Sequence, residues 1–283
     1  MSPDRVAQCA QLAMLFELSS SPKPGNVDRC HDFSDIGFHH FLVSSVSAYP
    51  VFRKAAQGKG CVGSLILEGV QAWQEWNLCS NTHFGSLVLM VPLACAAGID
   101  MHEKCLHDNL ARVLQGTTVQ DAVDFYKAFH IAGARVADVE EFSLKDLRSA
   151  ERLHQDKKSL LDLMRLSQGH DLVAKEWSTN YERSFLLAKR LTERIEKIGL
   201  NDGIVMTFLE ALNEVPDSLI CSKFGPKKAK QVSLRAGEAL QDPTLDLARQ
   251  MDSELLAEDV NPGSTADLIA ASLFISLLNG LRF

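Results

Sequence analysis

The sequence predicts an all-α fold, in which a single domain covering residues 1–283 forms a multi-helix bundle around a buried C-terminal helix. Apolar residues recur at helical spacing along the whole chain, and the alternating patterns that mark β-hairpins are missing. The last segment is apolar on nearly every side, as is typical of a helix at the centre of a bundle. Neither an internal repeat nor a linker rich in Pro, Gly or Ser divides the chain.

The helices are predicted in order from capping signals and apolar spacing. Ser2-Pro3-Asp4 is typical of the start of a helix, here one that runs to about Ser19. Further helices are expected from residue 34 or 35 to 46, and over 62–73, 118–132, 171–198, 203–215, 229–240 and 244–256, with another beginning at a capping box over 143–146. Gly199 is predicted to end the 171–198 helix, and Ser264-x-x-Asp267 is predicted to be the capping box of the last one.

Charge and cysteine content exclude several classes of protein. The formal net charge of −7, with scattered basic residues, provides no basic surface for nucleic acid or an anionic membrane, so neither is expected as a partner. The longest apolar run, 87–97, is too short to cross a bilayer, and the first residues lack the pattern of a signal peptide. The seven cysteines show no metal-ligand spacing and are interpreted as reduced thiols, which predicts a cytoplasmic protein.

Three polar loops stand apart from this packing pattern, because each leads from polar side chains into a predicted helix. The first loop spans residues 22–32, the second 81–86 and the third 261–267. Free N–H groups and the positive end of the helix dipole make such junctions suitable for anions. The alternative is a purely structural turn, and for Asp267 the capping box is already a complete structural explanation.

The first loop has the richest chemistry. Lys23 lies between two prolines, which fix the backbone that aims its ammonium group. With Arg29 it would bind phosphate, while carboxylates would hold Mg²⁺. Four side chains are spaced to converge on one cation if the segment coils: Asp28, His31, Asp32 and Asp35. The alternative is a Pro-stiffened turn whose aspartates cap the next helix.

The second loop contains a lone histidine, His83, and such a residue is more often structural than catalytic. Gly85 shifts the balance towards a binding site, because a glycine lets a ligand approach the backbone closely.

These segments resemble, in order and approximate separation, the signature motifs of the triphosphoribosyl-dephospho-CoA synthase family. The motifs are Pro22-Lys23-Pro24-Gly25 with Val27-Asp28-Arg29, then Asn81-Thr82-His83 followed by Gly85, then Gly133-Ala134-Arg135, and finally Ser264 to Ala270 preceded by Pro262-Gly263. The chain is similar to a divergent branch of that family in archaea and one-carbon-metabolising bacteria. It departs from the usual pattern at Phe84, where the family typically has lysine.

The resemblance implies an all-helical transferase that joins ATP to 3'-dephospho-CoA and releases adenine. Mg²⁺ is the cofactor expected with ATP. A ribose hydroxyl of the acceptor would attack the anomeric carbon of ATP through an oxocarbenium-like transition state. Asp28, His83 and Asp267 are the implied catalytic residues, and Asp28 and Asp32 the implied metal ligands. The implied substrate and phosphate contacts are Lys23, Gly25, Arg29, Asn81, Gly85 and Ser264.

Two alternatives stay open from the sequence. A relative could keep the ATP site and use a different acceptor in the synthesis of a pterin or another C1-carrier cofactor. A non-catalytic helical module that binds a nucleotide is the other, and Phe84 in place of lysine favours it. The true acceptor, the metal count and the oligomeric state, with a homodimer as one candidate, are also left open.

Overall fold

The computed structural model describes residues 1–33, 36–78, 82–99, 106–133, 153 and 155–283. Over these ranges the regular structure is helical, apart from an isolated antiparallel bridge between Asp28 and His31. The prediction of an all-α fold is therefore confirmed. None of the described helices is long and apolar enough to cross a membrane.

The first half of the chain forms seven described helices. They are α1 Pro3–Ser19, α2 Phe38–Ser47, α3 Tyr49–Ala56, α4 Val62–Gln74, α5 Phe84–Ile99, α6 Leu106–Gln115 and α7 Val119–Ala132. The predicted caps of α1 and α7 are confirmed, since Ser2 Oγ accepts from Arg5 N and Thr118 and Asp121 form a reciprocal capping box.

The second half of the chain forms eight described helices. They are α8 Leu160–Ser167, α9 Leu172–Ser178, α10 Glu182–Ile198, α11 Leu200–Glu214, α12 Ser218–Phe224, α13 Pro226–Ala239, α14 Asp246–Ala257 and α15 Gly263–Leu278. The predicted capping box at 143–146 lies outside the described residues.

The single helix predicted over 171–198 is wrong, because the chain turns sharply between α9 and α10. Asn180 and Tyr181 both have positive φ, 55° and 61°, which interrupts the helical backbone. The turn buries the Tyr181 ring completely and lets its hydroxyl donate to Leu89 O at 3.0 Å. Glu176 Oε2 accepts from Ser184 N at 2.7 Å, which ties the two helices together across the turn.

The centre of the molecule is formed by α15 and α5, which pack against each other. Every residue of α15 from Leu268 to its end is buried, which confirms the predicted buried C-terminal helix. The buried hydroxyls of Ser272 and Ser276 donate to backbone carbonyls, Ser276 Oγ to Ala188 O at 2.9 Å. Both central helices begin at the same end of the bundle, and that end carries the candidate site.

Candidate active site

A cleft opens where α5 and α15 begin. Its walls come from the end of α1, the first, second and third loops, α7, α8 and the start of α9. The polar residues that line it are Glu17, Asn26, Thr82, His83, Ser86, Ser167, His170, Asp171, Asn261, Ser264 and Asp267. The apolar ones include Val27, Phe33, Ile36, Phe41, Phe84, Phe125, Phe129, Leu163 and Met164. The cleft thus has one apolar wall and one polar wall.

The polar wall includes the N-terminal ends of α5, α9 and α15. The cleft is lined by Phe84, the first residue of α5, by Asp171, which caps α9, and by Gly263, the first residue of α15. The positive ends of these three helix dipoles therefore point towards the cleft. A helix N-terminus presents unpaired backbone N–H groups, which bind phosphate oxygens well. Some of these N–H groups are already paired, since Ala174 N donates to Asp171 Oδ1 at 2.8 Å and Thr265 N donates to Asp217 Oδ2 at 2.7 Å. An anion would therefore be held by the helix dipoles and by the N–H groups that remain.

The start of α15 is held in place by a buried carboxylate from the neighbouring loop. Asp217 Oδ2 accepts from Thr265 N at 2.7 Å and from Thr265 Oγ1 at 2.8 Å. The other oxygen, Asp217 Oδ1, caps α12 through Leu219 N and Ile220 N. One side chain therefore fixes two helix starts beside the cleft.

Several buried polar atoms of cleft-lining residues have no hydrogen-bond partner among the residues that the structure describes. They are Asn26 Nδ2, Thr82 Oγ1, His83 Nε2 and Asn261 Oδ1. A buried polar atom left unpaired costs about 1–3 kcal/mol, so such atoms are rare unless a ligand or water pairs with them. Their concentration in one cleft indicates a site for a polar ligand.

Asp267 does not cap α15, so the predicted Ser264-x-x-Asp267 capping box is wrong. α15 begins at Gly263 without a side-chain cap, and Ser264 Oγ instead bonds Ser218 Oγ at 2.9 Å. The Asp267 carboxylate points towards α5, where Ser86 Oγ donates to its Oδ1 at 2.6 Å. Removal from water raises the pKa of Asp267 to about 8, and the nearby Glu17 and Asp217 carboxylates act in the same direction. Asp267 is therefore a neutral carboxylic acid at pH 7.

Gly85 lines the cleft and is also where the Asp267 carboxyl group comes closest to the backbone of α5. A Cβ at this position would lie 2.0 Å from Asp267 Oδ2, so the backbone is approached closely by that carboxyl group. The glycine thus makes room for Asp267 against the start of α5.

Replacing Gly85 by alanine is expected to displace the Asp267 carboxyl group while leaving the fold intact. If Asp267 takes part in catalysis, a shift of about 1 Å in its position can lower turnover by about 100-fold, and we expect a loss of that order. The change is measured as kcat of the purified protein. Gly169→Ala is the matched control, because a Cβ there meets no atom within 4 Å; similar activity in both variants would contradict the prediction.

His83 is buried and held as a neutral imidazole. Its Nδ1 lies 2.6 Å from Ser44 Oγ, and the Ser44 hydroxyl also bonds Phe41 O at 3.0 Å. If Ser44 donates its only proton to that carbonyl, His83 Nδ1 is the donor to Ser44, and Nε2 carries the free lone pair in the cleft. Burial lowers the pKa of His83 to about 3, and the nearby Lys23 ammonium adds to the effect.

Lys23 does not line the cleft. It is fully buried, and its Nζ lies 2.7 Å from Glu17 Oε1, a carboxylate at the end of α1 that does line the cleft. Its ammonium group therefore acts on the cleft through Glu17 and through its charge, and its direct contact with phosphate stays a prediction. Burial raises the pKa of Glu17, which Lys23 opposes.

The other residues of the first loop that were predicted to bind substrate or metal also lie away from the cleft lining. Gly25 has φ +77° and packs against the chain before α15, where a Cβ would lie 2.3 Å from Val260 O. Arg29 is exposed. Asp32, the predicted second metal ligand, instead caps α2, where its Oδ1 accepts from Phe38 N at 2.6 Å. Asp28 is buried beside His31 and Asp252, and Asp32 is not in this group.

Other predicted residues lie outside the described part of the chain. These are Asn81, Asp35, and Ala134 and Arg135 of the Gly-Ala-Arg element. Glu17 and Asn261 were missed as site residues. Glu17 could have been noticed as a carboxylate at the end of an amphipathic helix, next to the polar first loop.

Phe84 belongs to the apolar wall of the cleft. Its ring centroid lies 5.8 Å from that of Phe125 and 6.0 Å from that of Phe129, both on α7. Such aromatic clusters bind flat, apolar groups by stacking and burial. The position at which a cation was expected from the resemblance is therefore used for packing.

Comparisons with known proteins agree on one family. The model of the CitG family, described as ATP:dephospho-CoA triphosphoribosyl transferase, matches residues 3–282. A 2-(5''-triphosphoribosyl)-3'-dephosphocoenzyme-A synthase of Klebsiella pneumoniae is 24% identical over 310 residues, which cover 98% of this chain and 91% of that protein. A protein of Pseudomonas savastanoi pv. phaseolicola that provisionally has the same name is 24% identical over 293 residues, covering 96% and 90% of the two chains.

A crystal structure shows the same architecture. It is that of an Archaeoglobus fulgidus protein provisionally named triphosphoribosyl-dephospho-CoA synthase. The two structures superpose with a TM-score of 0.74 and 28% sequence identity, over 87% of this chain and 100% of the other.

Proposed function

Because the chain belongs to the CitG family of ATP:dephospho-CoA triphosphoribosyl transferases, we propose that the cleft at the start of α5 and α15 is where the triphosphoribosyl group of ATP moves to 3'-dephospho-CoA. The observation that carries this assignment of the site is the set of unpaired buried polar atoms beside two acid–base groups, His83 and Asp267. In the reaction an acceptor hydroxyl forms a bond to the anomeric carbon of ATP, and the bond from that carbon to adenine breaks.

We propose that the triphosphate lies against the helix starts. The N-terminal ends of α5 and α15 supply partial positive charge and backbone N–H groups, and Ser264 and Asn261 add polar side chains at the same place. The adenine and the less polar parts of the two substrates would face Phe84, Phe125 and Phe129.

Asp267 is the proposed general acid. Its pKa of about 8 keeps a proton on the carboxyl group at pH 7, so it can protonate a ring nitrogen of the departing adenine. The Ser86 hydroxyl, which donates to Oδ1, orients the group and stabilises the carboxylate that remains.

His83 is the proposed acceptor of the hydroxyl proton. Its low pKa keeps the ring neutral at pH 7, and the tautomer that donates from Nδ1 to Ser44 leaves Nε2 unprotonated. A weak base is enough here, because a hydroxyl that attacks an oxocarbenium-like carbon becomes acidic as the bond forms. His83 then releases its proton to solvent, and Asp267 takes up a proton from solvent.

Mg²⁺ is proposed as the ion that accompanies the triphosphate. The residues predicted to bind it, Asp28 and Asp32, do not line the cleft, so they do not fit a cation that bridges phosphate oxygens there. The proposed proton transfers use only side chains of the cleft and do not depend on Mg²⁺.

The proposal is tested by incubating the purified chain with MgATP and 3'-dephospho-CoA. We expect free adenine and a product that carries the triphosphoribosyl group, measured together by chromatography and mass spectrometry. Omitting dephospho-CoA, and replacing it with a pterin acceptor, are the two controls on the acceptor. Adenine release only with the pterin would contradict the proposed acceptor, and nucleotide binding with no release under any condition would contradict catalysis.

A further inference from the structure

Behind the first loop, we infer a second ligand site, in which Asp28, His31 and Asp252 bind a divalent transition-metal cation. Each of these residues offers one ligand atom, and the atoms all lie within 4.8 Å of one another. His31 Nδ1 is 3.4 Å from Asp28 Oδ1 and 3.0 Å from Asp252 Oδ2. None of the three lines the cleft, so the site does not rest on the proposed function.

Unpaired buried atoms point into this group. The Asp28 and Asp252 side chains are 0% and 1% exposed, yet Asp28 Oδ2 and Asp252 Oδ2 have no hydrogen-bond partner in the described chain. His31 Nδ1, which lies 3.0 Å from Asp252 Oδ2, is also without a hydrogen bond. A cation held between the three side chains would pair with these atoms.

The local charge also favours a cation. Asp28 and Asp252 are two buried carboxylates in contact with one imidazole. Lys23 is the buried ammonium group close enough to affect Asp252, but it is already paired with Glu17 at 2.7 Å. Negative charge in the group is therefore only partly compensated, and burying such charge is costly unless a cation pairs with it.

The donor set selects the class of metal. Mg²⁺ prefers an all-oxygen octahedral shell, whereas imidazole nitrogen with carboxylate oxygens suits Mn²⁺, Fe²⁺, Co²⁺ or Zn²⁺. The His31 side chain is 40% exposed, which gives the cation a path from solvent and leaves room for water ligands.

Binding there would hold the first loop against α14. The loop is already attached at this point, since Gly25 N donates to Asp252 Oδ1 at 2.8 Å. The same loop supplies Asn26 and Val27 to the cleft, so the cation would support one wall of the cleft from behind.

The test uses the full chain after treatment with a chelator, without ATP. It is titrated with Mn²⁺ while the electron paramagnetic resonance signal of free Mn²⁺ is recorded. We expect one equivalent to bind, Mg²⁺ at equal concentration not to displace it, and the bound ion to show magnetic coupling to one imidazole nitrogen.

Variants separate this site from adventitious binding. His31→Ala should abolish the nitrogen coupling and weaken binding by at least about tenfold, and Asp252→Asn should weaken binding similarly. His31 is partly exposed, so its removal is expected to leave the fold intact, which circular dichroism checks. His130→Ala, an exposed histidine at the end of α7, is the matched control and should bind like the unmodified chain. Absence of binding, retention of the nitrogen coupling in His31→Ala, or displacement by Mg²⁺ would each overturn the inference.

Discussion

Replacing Asp267 by asparagine is expected to lower kcat for adenine release by about 10²- to 10⁴-fold, the usual contribution of a positioned general acid. Asparagine is nearly isosteric and can still accept from Ser86 Oγ, but it has no proton to transfer. The variant is compared with Asp246→Asn, a change at an exposed aspartate of α14. Adenine release by Asp267→Asn at the rate of this control would eliminate Asp267 as the acid.

The pH dependence provides a second measure of the same group. Because the active form of Asp267 is protonated and its pKa is about 8, kcat/KM of the unmodified chain should fall as the pH rises through about 8. The residual activity of Asp267→Asn should lack this fall. A profile that is flat between pH 7 and 9 in the unmodified chain would contradict the assignment.

The same substitution is expected to stabilise the protein. Since the folded-state pKa of about 8 lies above the ordinary value of 3.8, the folded chain keeps a proton that the unfolded chain releases between those two pH values. Asp267 therefore lowers the free energy of unfolding progressively as the pH rises from about 4 to about 8. Asp267→Asn cannot titrate, so at pH 7 it should be more stable by about 4 kcal/mol, with little difference near pH 4, as measured by urea unfolding.

Replacing Lys23 by methionine is expected to lower the free energy of unfolding by about 3 kcal/mol. The substitution leaves the buried Glu17 carboxylate without its cation, and a buried group that loses its partner is strongly destabilising. The expected loss is at the lower end of the usual range because Glu17, whose pKa is already raised, can take up a proton.

Two further variants test that explanation for Lys23. The double variant Glu17→Leu with Lys23→Met should recover most of the lost stability, because it removes both buried charges. Lys228→Met breaks an ion pair to Glu258 at the protein surface and should cost less than about 1 kcal/mol. Equal losses for Lys23→Met and Lys228→Met in urea unfolding would show that burial of the Lys23–Glu17 pair has no special effect.

The fold could be predicted largely from the sequence because apolar spacing is a local signal. The central helix α15 is recognisable from its uninterrupted apolar residues, and α7 from its capping box. The break between α9 and α10 could not be predicted in this way. It depends on burying Tyr181 against Leu89, a contact between residues far apart in the chain.

The candidate site could be predicted only in part. The three polar loops were predicted to meet at one site, and each contributes residues to the cleft, including His83 and Asp267. The partners of His83, Asp267 and Lys23 could not be inferred, because Ser44, Ser86 and Glu17 come from different helices and become neighbours only through packing. A capping motif also misled the prediction for Asp267, since Asp217 supplies from a distance the hydrogen bonds at the start of α15.

The Asp217 carboxylate affects how strongly the cleft can bind a ligand. By bonding to the starts of both α12 and α15, it orders the corner of the cleft where the triphosphate is proposed to lie. Binding at a preorganised corner requires little loss of conformational entropy, so more of the interaction energy remains as affinity. The order that Asp217 imposes on this corner when the chain folds therefore favours binding of a ligand there.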